Sequence, residues 1–136
     1  MTSLANFLFP APASRSVGAI WRWWEARRLS YNLIVGSAGL VTLSVAQVII
    51  WVMPDGGGFP WQPVVAFGVL ANVCYSLGPI VEASAHKLWG RTVLPVGPSL
   101  FRMGLTFSVG LALLPLLILT IFMLVRILIG VVGLVT

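Results

Sequence analysis

Three long apolar runs constrain the fold of this chain more than any other feature. Residues 33–53 and 61–81 each contain 21 amino acids without a charge, and residues 103–125 contain 23. An α-helix rises about 1.5 Å per residue, so each run is long enough to cross a hydrocarbon core of about 30 Å. The runs predict an all-α integral membrane protein with three transmembrane helices.

The composition favours the same class of protein. Hydrophobic residues make up 59% of the chain and charged residues only 8%. A soluble domain of this size buries about two thirds of the surface that its unfolded chain exposes, which is too little to hide so many apolar side chains. We therefore expect membrane lipids to cover the remainder.

Basic residues are concentrated on one side of the predicted spans. Asp55 is the only charge in the connection 54–60, whereas seven basic residues precede the first run or separate the second from the third: Arg15, Arg22, Arg27, Arg28, Lys87, Arg91 and Arg102. The positive-inside rule then places the N-terminus in the cytoplasm. The net charge of +5 has this topological explanation, so it does not indicate nucleic-acid binding.

The segment before the first run contains two predicted parts. Residues 1–14 include prolines and are expected to form an irregular cytoplasmic tail. Residues 15–30 carry apolar and basic side chains at helical spacing, which predicts an amphipathic helix in the lipid headgroup region before a turn near Tyr31 and Asn32. Its predicted headgroup contacts are Trp21, Arg22, Trp23, Trp24, Arg27 and Arg28.

The C-terminal region leaves the number of spans open. Residues 99–136 would form a helix of roughly 57 Å, nearly twice the hydrocarbon thickness. Either residues 103–125 cross once and the apolar segment 127–136 lies along the outer interface, or the helix tilts strongly and projects. A fourth span is the alternative, and it would need a turn around Pro115. Arg126 is predicted to reach the outer interface, or to pair with a partner subunit or an anionic lipid.

The second predicted span carries a polar stripe. Its members recur at intervals of three and four residues, which places them on one side of a helix, and Gln47 of the first span is a predicted partner for the outer half. Lipid penalises exposed polar groups, so the stripe should face other helices, a partner subunit or water. The stripe consists of Asn72, Tyr75, Ser76, Glu82 and His86.

Small residues predict close helix packing in all three spans. Such residues let transmembrane helices approach one another, and the result would be a compact three-helix bundle. Three helices enclose little volume, so we expect a ligand site only in an oligomer. The predicted packing positions are Gly36, Gly39, Gly68, Gly104, Ser108 and Ala112.

Residues for catalysis or metal binding are scarce. The chain has one His, one Cys, one Asp and two Glu, too few for a recognisable nucleophilic triad or a carboxylate metal cluster. Glu82 and His86 could offer two ligands, but this spacing is more typical of a helical hydrogen bond. We expect neither a metal nor a cofactor.

Three segments resemble a group of small bacterial polytopic membrane proteins of unassigned function: residues 23–32 (WWEARRLSYN), residues 72–78 (NVCYSLG) and the GLTFS stretch that begins at Gly104. The resemblance implies a location in the bacterial inner membrane and no particular activity. Pro79 and Ile80 depart from it, because an aromatic residue or glycine is expected after Gly78.

Two classes of function remain after these observations, with an enzyme as a third. The favoured one is a non-enzymatic accessory, scaffold or assembly subunit that contacts membrane lipids and either other membrane-protein subunits or further copies of itself. The alternative is an oligomeric transporter or proton path lined by the polar stripe. Both exclude nucleic acid as a partner.

Overall fold

The computed structural model describes residues 4–9, 16–52, 61–90 and 96–135. These residues form four helices: α1 (Leu4–Leu8), α2 (Val17–Val52), α3 (Trp61–Trp89) and α4 (Gly97–Val135). The last three are each long and apolar enough to cross a membrane. The prediction of three long apolar helices is therefore confirmed, whereas the 54–60 connection lies outside the described residues.

Helix α2 is continuous, so the predicted turn near Tyr31 and Asn32 is wrong. The expected interfacial helix 15–30 and the first span belong to this one helix. Ser16 begins it, accepting hydrogen bonds from Ala19 N at its hydroxyl (3.2 Å) and at its carbonyl oxygen (2.9 Å). No proline interrupts the sequence between Val17 and Val52, and the backbone therefore keeps its helical hydrogen bonds across the predicted boundary.

Helix α4 is likewise continuous, and this excludes the fourth span in the form expected. The predicted turn around Pro115 falls inside the helix. Proline removes one amide donor and can bend a helix, but nearby backbone groups still satisfy one another without a reversal. The 39 residues of α4 extend for about 58 Å, and the apolar segment after Arg126 continues the same helix.

The three long helices form a bundle in which α2 and α4 run parallel and α3 runs antiparallel to both. Tyr31 contacts Ser108, and further along both helices Thr42 contacts Ala112. Most of the buried side chains lie at the end where α2 begins. Helix α1 also packs there through the buried Leu8, which corrects the predicted irregular tail at residues 4–8. Residues 1–3 and 10–14 of that tail lie outside the described residues.

Helix α4 extends well beyond the other two helices. The hydrogen bond between Thr42 Oγ1 and the carbonyl oxygen of Ala112 aligns α2 with α4, so Ile50 and Leu119 lie at nearly the same level. Pro63 of α3 lines the same cleft as these two residues. That level is close to the end of α2 and the beginning of α3, whereas α4 continues to Val135. The continuation is about 24 Å long. Side chains from residue 124 to residue 133 are all exposed.

Candidate functional site

Five aromatic rings pack together where α2 begins and α4 begins. We call them the aromatic cluster. Neighbouring ring centroids are 4.6 to 6.4 Å apart, and most pairs meet edge to face, the arrangement that the charge distribution of aromatic rings favours. The cluster joins all three long helices and consists of Trp23, Trp24, Tyr31, Tyr75 and Phe101.

Trp24 connects α2 to α3 through three contacts. Its indole Nε1 donates a hydrogen bond to Glu82 Oε2 at 2.8 Å, and its carbonyl oxygen accepts one from the Tyr75 hydroxyl. Its ring lies directly against Gly78, where a Cβ would come within 2.8 Å of Trp24 Cζ2 and closer still to Cη2. Only a glycine at position 78 lets the ring approach α3 in this way.

Glu82 in turn contacts the first residue of α4. The carboxylate is 3% exposed, and a Cβ on Gly97 would lie 2.8 Å from its Cδ. A negative charge at a helix N-terminus is favoured by the helix dipole, so this position suits a carboxylate. Arg102 and Lys87, the nearest basic residues in the sequence that the structure describes, are both exposed, and neither forms an ion pair with Glu82.

Arg27 is enclosed by aromatic and backbone groups. Its guanidinium lies 4.0 Å from the Trp23 ring centroid and 4.8 Å from that of Phe7. Its Nη1 donates to Trp23 O at 2.8 Å and its Nε to Leu8 O at 3.2 Å. The cation is thus stabilised by carbonyl oxygens and ring faces.

Three of the six residues predicted to contact lipid headgroups are buried in the protein. Trp23, Trp24 and Arg27 are packed inside the protein, whereas Trp21 and Arg22 are exposed. The three side chains are buried because α1 and the start of α4 cover one side of α2. The sequence does not reveal this, because aromatic residues have the same spacing on an interfacial face of a helix as on a buried face.

Arg28 lies at one side of an open groove along α3. Its Nε and Nη2 donate to the two carboxylate oxygens of Glu25 at 2.9 and 2.8 Å, and its Nη1 and Nη2 lie 3.5 and 3.4 Å from Ser76 Oγ. The groove has a volume of about 680 Å³. We call it the α3 groove. Besides Arg28, it is lined by Val65, Gly68, Val69, Asn72, Val73, Ser76, Leu77 and Ile80.

The predicted polar stripe divides into two parts. Tyr75 and Glu82 are buried against α2, whereas Asn72 and Ser76 line the α3 groove. Within α3, Asn72 Nδ2 donates to the carbonyl oxygen of Gly68 at 3.0 Å, and Ser76 Oγ donates to that of Asn72 at 2.9 Å. The stripe therefore does not form one continuous polar surface.

The last two residues predicted for the stripe lie at its margins. His86 is partly buried, and its Nδ1 has no hydrogen-bond partner in the described part of the chain. Gln47 is partly buried on α2, and the predicted pairing with the stripe is not seen within residues 16–52 and 61–90.

Close approach between α2 and α4 occurs at two of the predicted small residues. Ser108 Oγ lies 2.7 Å from the Tyr31 hydroxyl, and Thr42 Oγ1 donates to the carbonyl oxygen of Ala112 at 2.7 Å. Tyr31 also donates to the carbonyl oxygen of Ala71 at 3.3 Å. These hydrogen bonds hold the middle of the bundle together.

Within the described part of the chain, the predicted close packing is not seen at four glycines, and packing against another protein at these positions stays a prediction. A Cβ added at these positions would meet nothing within 4 Å among the described atoms, so no neighbouring helix requires a glycine there: Gly36, Gly39, Gly68 and Gly104. Gly78 and Gly97 take that role instead, and sequence reasoning missed them. Gly78 follows the polar Tyr75-Ser76 pair by two residues. Its position could have been predicted, because a small residue next to a polar stripe that must face another helix is a favourable place for close packing.

An apolar cleft opens between the three long helices at the end opposite the aromatic cluster. Its volume is about 490 Å³, within the range of small-molecule sites. Its walls include Thr42 and Ala46 of α2, Phe67 of α3 and Pro115 of α4. The cleft is open at the surface, so the expectation that three helices enclose little volume is not contradicted.

Arg126 lies on the exposed extension of α4, with its guanidinium 5.8 Å from the Phe122 ring centroid. Within the described ranges, no three His, Cys, Asp or Glu side chains are grouped so that they could hold a metal ion. No known protein family, curated protein or solved structure matches the chain.

Proposed function

We propose that this chain is a non-enzymatic accessory subunit of a bacterial inner-membrane complex, with α2, α3 and α4 crossing the membrane and the N-terminus in the cytoplasm. The uncovered apolar surface supports a membrane location. In the most apolar stretches of α2, α3 and α4, only 11%, 17% and 6% of the residues are buried inside the protein. Water would penalise such a surface at roughly 25 cal/mol for each Å² of apolar area.

The extension of α4 is the observation that carries the accessory role. At the level of Leu119 the helix is already close to the ends of α2 and α3, and it then continues for about 24 Å with side chains that are apolar except at Thr120 and Arg126. If the bundle fills the hydrocarbon core, this extension leaves it. A helix that is apolar all round is stable only when it is covered, so we infer that another protein subunit covers it.

Arg126 fits the same interpretation. It is the only charge in the extension and lies about 36 Å from Arg102 along α4, somewhat more than one hydrocarbon thickness. An acidic residue of the partner subunit would stabilise this arginine at the outer interface.

The pairing of the polar stripe favours the accessory role over a proton path. Tyr75 and Glu82 hydrogen bond to Trp24, and Asn72 and Ser76 hydrogen bond to carbonyl oxygens of α3 itself. Tyr75 and Glu82 therefore stabilise the contact between α2 and α3, whereas the polar groups of Asn72 and Ser76 are satisfied within α3.

Extraction of membranes at alkaline pH tests the location. An integral protein remains in the membrane pellet, and release into the supernatant would refute three transmembrane helices.

A photo-crosslinking residue at Leu128 tests the partner. Leu128 lies on the extension, and Phe107 is an equally exposed position within the bundle that serves as the control. We expect Leu128 to yield a discrete adduct with another protein and Phe107 to yield lipid adducts. Lipid adducts alone at both positions would contradict the accessory role.

A further inference from the structure

The α3 groove combines a positive charge at one side with an apolar surface along its length. Arg28 is its only charged residue. Val65, Val69 and Val73 are more than half exposed, and no described residue covers them. A Cβ on Gly68 would meet open space, so the groove is open to a ligand at this point.

We propose that the α3 groove binds one anionic phospholipid, with the phosphate at Arg28 and Ser76 and one acyl chain along α3 as far as Val65. The inference rests on the proposed membrane location. It assigns a specific lipid site along α3 beside Arg28 of α2, in addition to the general contact of a membrane protein with lipid.

The polar contacts of Arg28 leave capacity for a phosphate. Its distances of 3.4 and 3.5 Å from Ser76 Oγ are at the long limit of hydrogen bonding. A phosphate oxygen beside the two groups would accept a shorter, charge-assisted bond from Arg28 Nη1. Ser76 would donate to the same phosphate by turning its hydroxyl proton away from the Asn72 carbonyl oxygen. Within the described structure, the hydrogen bond from Arg28 Nη1 to Ser76 is the only one that this nitrogen forms. Arg28 binds Glu25 through its Nε and Nη2 instead.

The charge around Arg28 also favours an anion. Glu25 compensates one positive charge, but Arg22 lies one turn before Glu25 on the same exposed side of α2. The three side chains together are therefore positive. Arg28 precedes the apolar run 33–53 by five residues, which places it at the level of lipid headgroups rather than in hydrocarbon.

The length of the groove matches an acyl chain. From Ser76 to Val65, α3 extends for about 16 Å, close to the thickness of one leaflet of a core of about 30 Å. The apolar cleft at the other end of the bundle has no charged residue in its walls, so it has no comparable preference for an anionic lipid.

The experiment measures lipid preference in reconstituted vesicles. The full chain is placed in vesicles of phosphatidylcholine, and the association of spin-labelled phosphatidylglycerol is compared with that of spin-labelled phosphatidylcholine from the motionally restricted fraction. We expect the wild type to prefer phosphatidylglycerol. Arg28→Gln should reduce the preference about fivefold, the factor for one basic charge near a membrane surface.

Arg102→Gln is the matched control, because it removes the same charge from an exposed position outside the groove. It should leave most of the preference intact. Equal losses in both variants would overturn the proposal and indicate general surface attraction. A wild type without preference would also overturn it.

Gly68→Leu tests the acyl chain independently of charge, with Gly36→Leu as the control at an open position outside the groove. We expect only Gly68→Leu to lower the restricted lipid fraction. If it instead converts an oligomer to a monomer, a second copy of the chain occupies the groove and the proposal is wrong. Melting temperatures in detergent establish that each variant is folded.

The vesicle experiment also separates the two proposals. A chain that does not insert into vesicles refutes the membrane location and the lipid site together. A chain that inserts and shows no selectivity refutes the lipid site alone.

Discussion

The close contact between Gly78 and the Trp24 ring makes Gly78→Ala a sensitive test of the packing between α2 and α3. The new methyl group would lie 2.5 Å from Cζ3 and 2.8 Å from Cζ2 of the indole. Cβ atoms do not approach ring carbons this closely, so the ring or the helix must move. Overpacking of this kind costs about 1–3 kcal/mol.

A gain in helix propensity offsets part of that cost. Alanine is favoured over glycine in a helix by up to about 1 kcal/mol, so the net effect of Gly78→Ala is a destabilisation of about 0–2 kcal/mol. Gly36→Ala is the matched control, because its methyl group meets nothing within 4 Å. We expect the control to be neutral or stabilising, and the difference between the two variants isolates the steric term of about 1–3 kcal/mol.

The free energy of unfolding can be measured by titrating the protein in mixed micelles with a denaturing detergent. A double-mutant cycle with Trp24→Phe adds a second readout. Phenylalanine lacks the outer part of the indole that meets Gly78, so Gly78→Ala should become nearly neutral in this background. If Gly78→Ala is as stable as Gly36→Ala in the wild-type background, the contact described between Trp24 and α3 is incorrect.

Three further predictions concern the hydrogen bonds and the topology. Glu82→Gln should lower the unfolding free energy by less than about 1.5 kcal/mol, because the new amide oxygen still accepts from Trp24 Nε1; a loss of more than about 3 kcal/mol would contradict this geometry. Tyr31→Phe removes a hydroxyl shared between α3 and α4 and should cost about 0.5–2 kcal/mol in the same titration, and an unchanged stability would argue against these contacts. In a cysteine-free background, a membrane-impermeant thiol reagent on intact cells should label Gln62→Cys and spare Leu88→Cys until the membrane is opened, since the charge bias places these ends of α3 on opposite sides; the reverse pattern would refute the orientation.

Hydropathy was sufficient to predict the three long helices but not where each ends. The absence of charges over 21 to 23 residues depends only on local composition, and each uncharged run falls largely within one of the helices α2, α3 and α4. The helix ends depend on other signals. A change from polar to apolar residues near Tyr31 suggested a turn, yet nothing in that sequence breaks a helix, and α2 continues through it.

The candidate site was predictable as a set of residues and not as an arrangement. Glu82 and Tyr75 were recognised because polar groups in an apolar helix need partners, but their partner Trp24 was assigned to lipid headgroups. A tryptophan at the lipid headgroups and a buried tryptophan differ only in the groups that contact the ring. The ring of Trp24 is contacted by Gly78 of α3 and Phe101 of α4. Such long-range contacts leave no periodic signal in a single sequence.

The position of Trp24 near the start of the chain has a consequence for biosynthesis. Glu82, which binds its indole, is 58 residues later in the sequence, and Phe101 is later still. At a synthesis rate of about 5–20 residues per second, Glu82 is synthesised about 3–12 seconds after Trp24. The nascent N-terminal half of α2 must be held in another environment during this interval. Phe101, only 1% exposed in the finished protein, completes the aromatic cluster, so the cluster closes only after synthesis has reached α4.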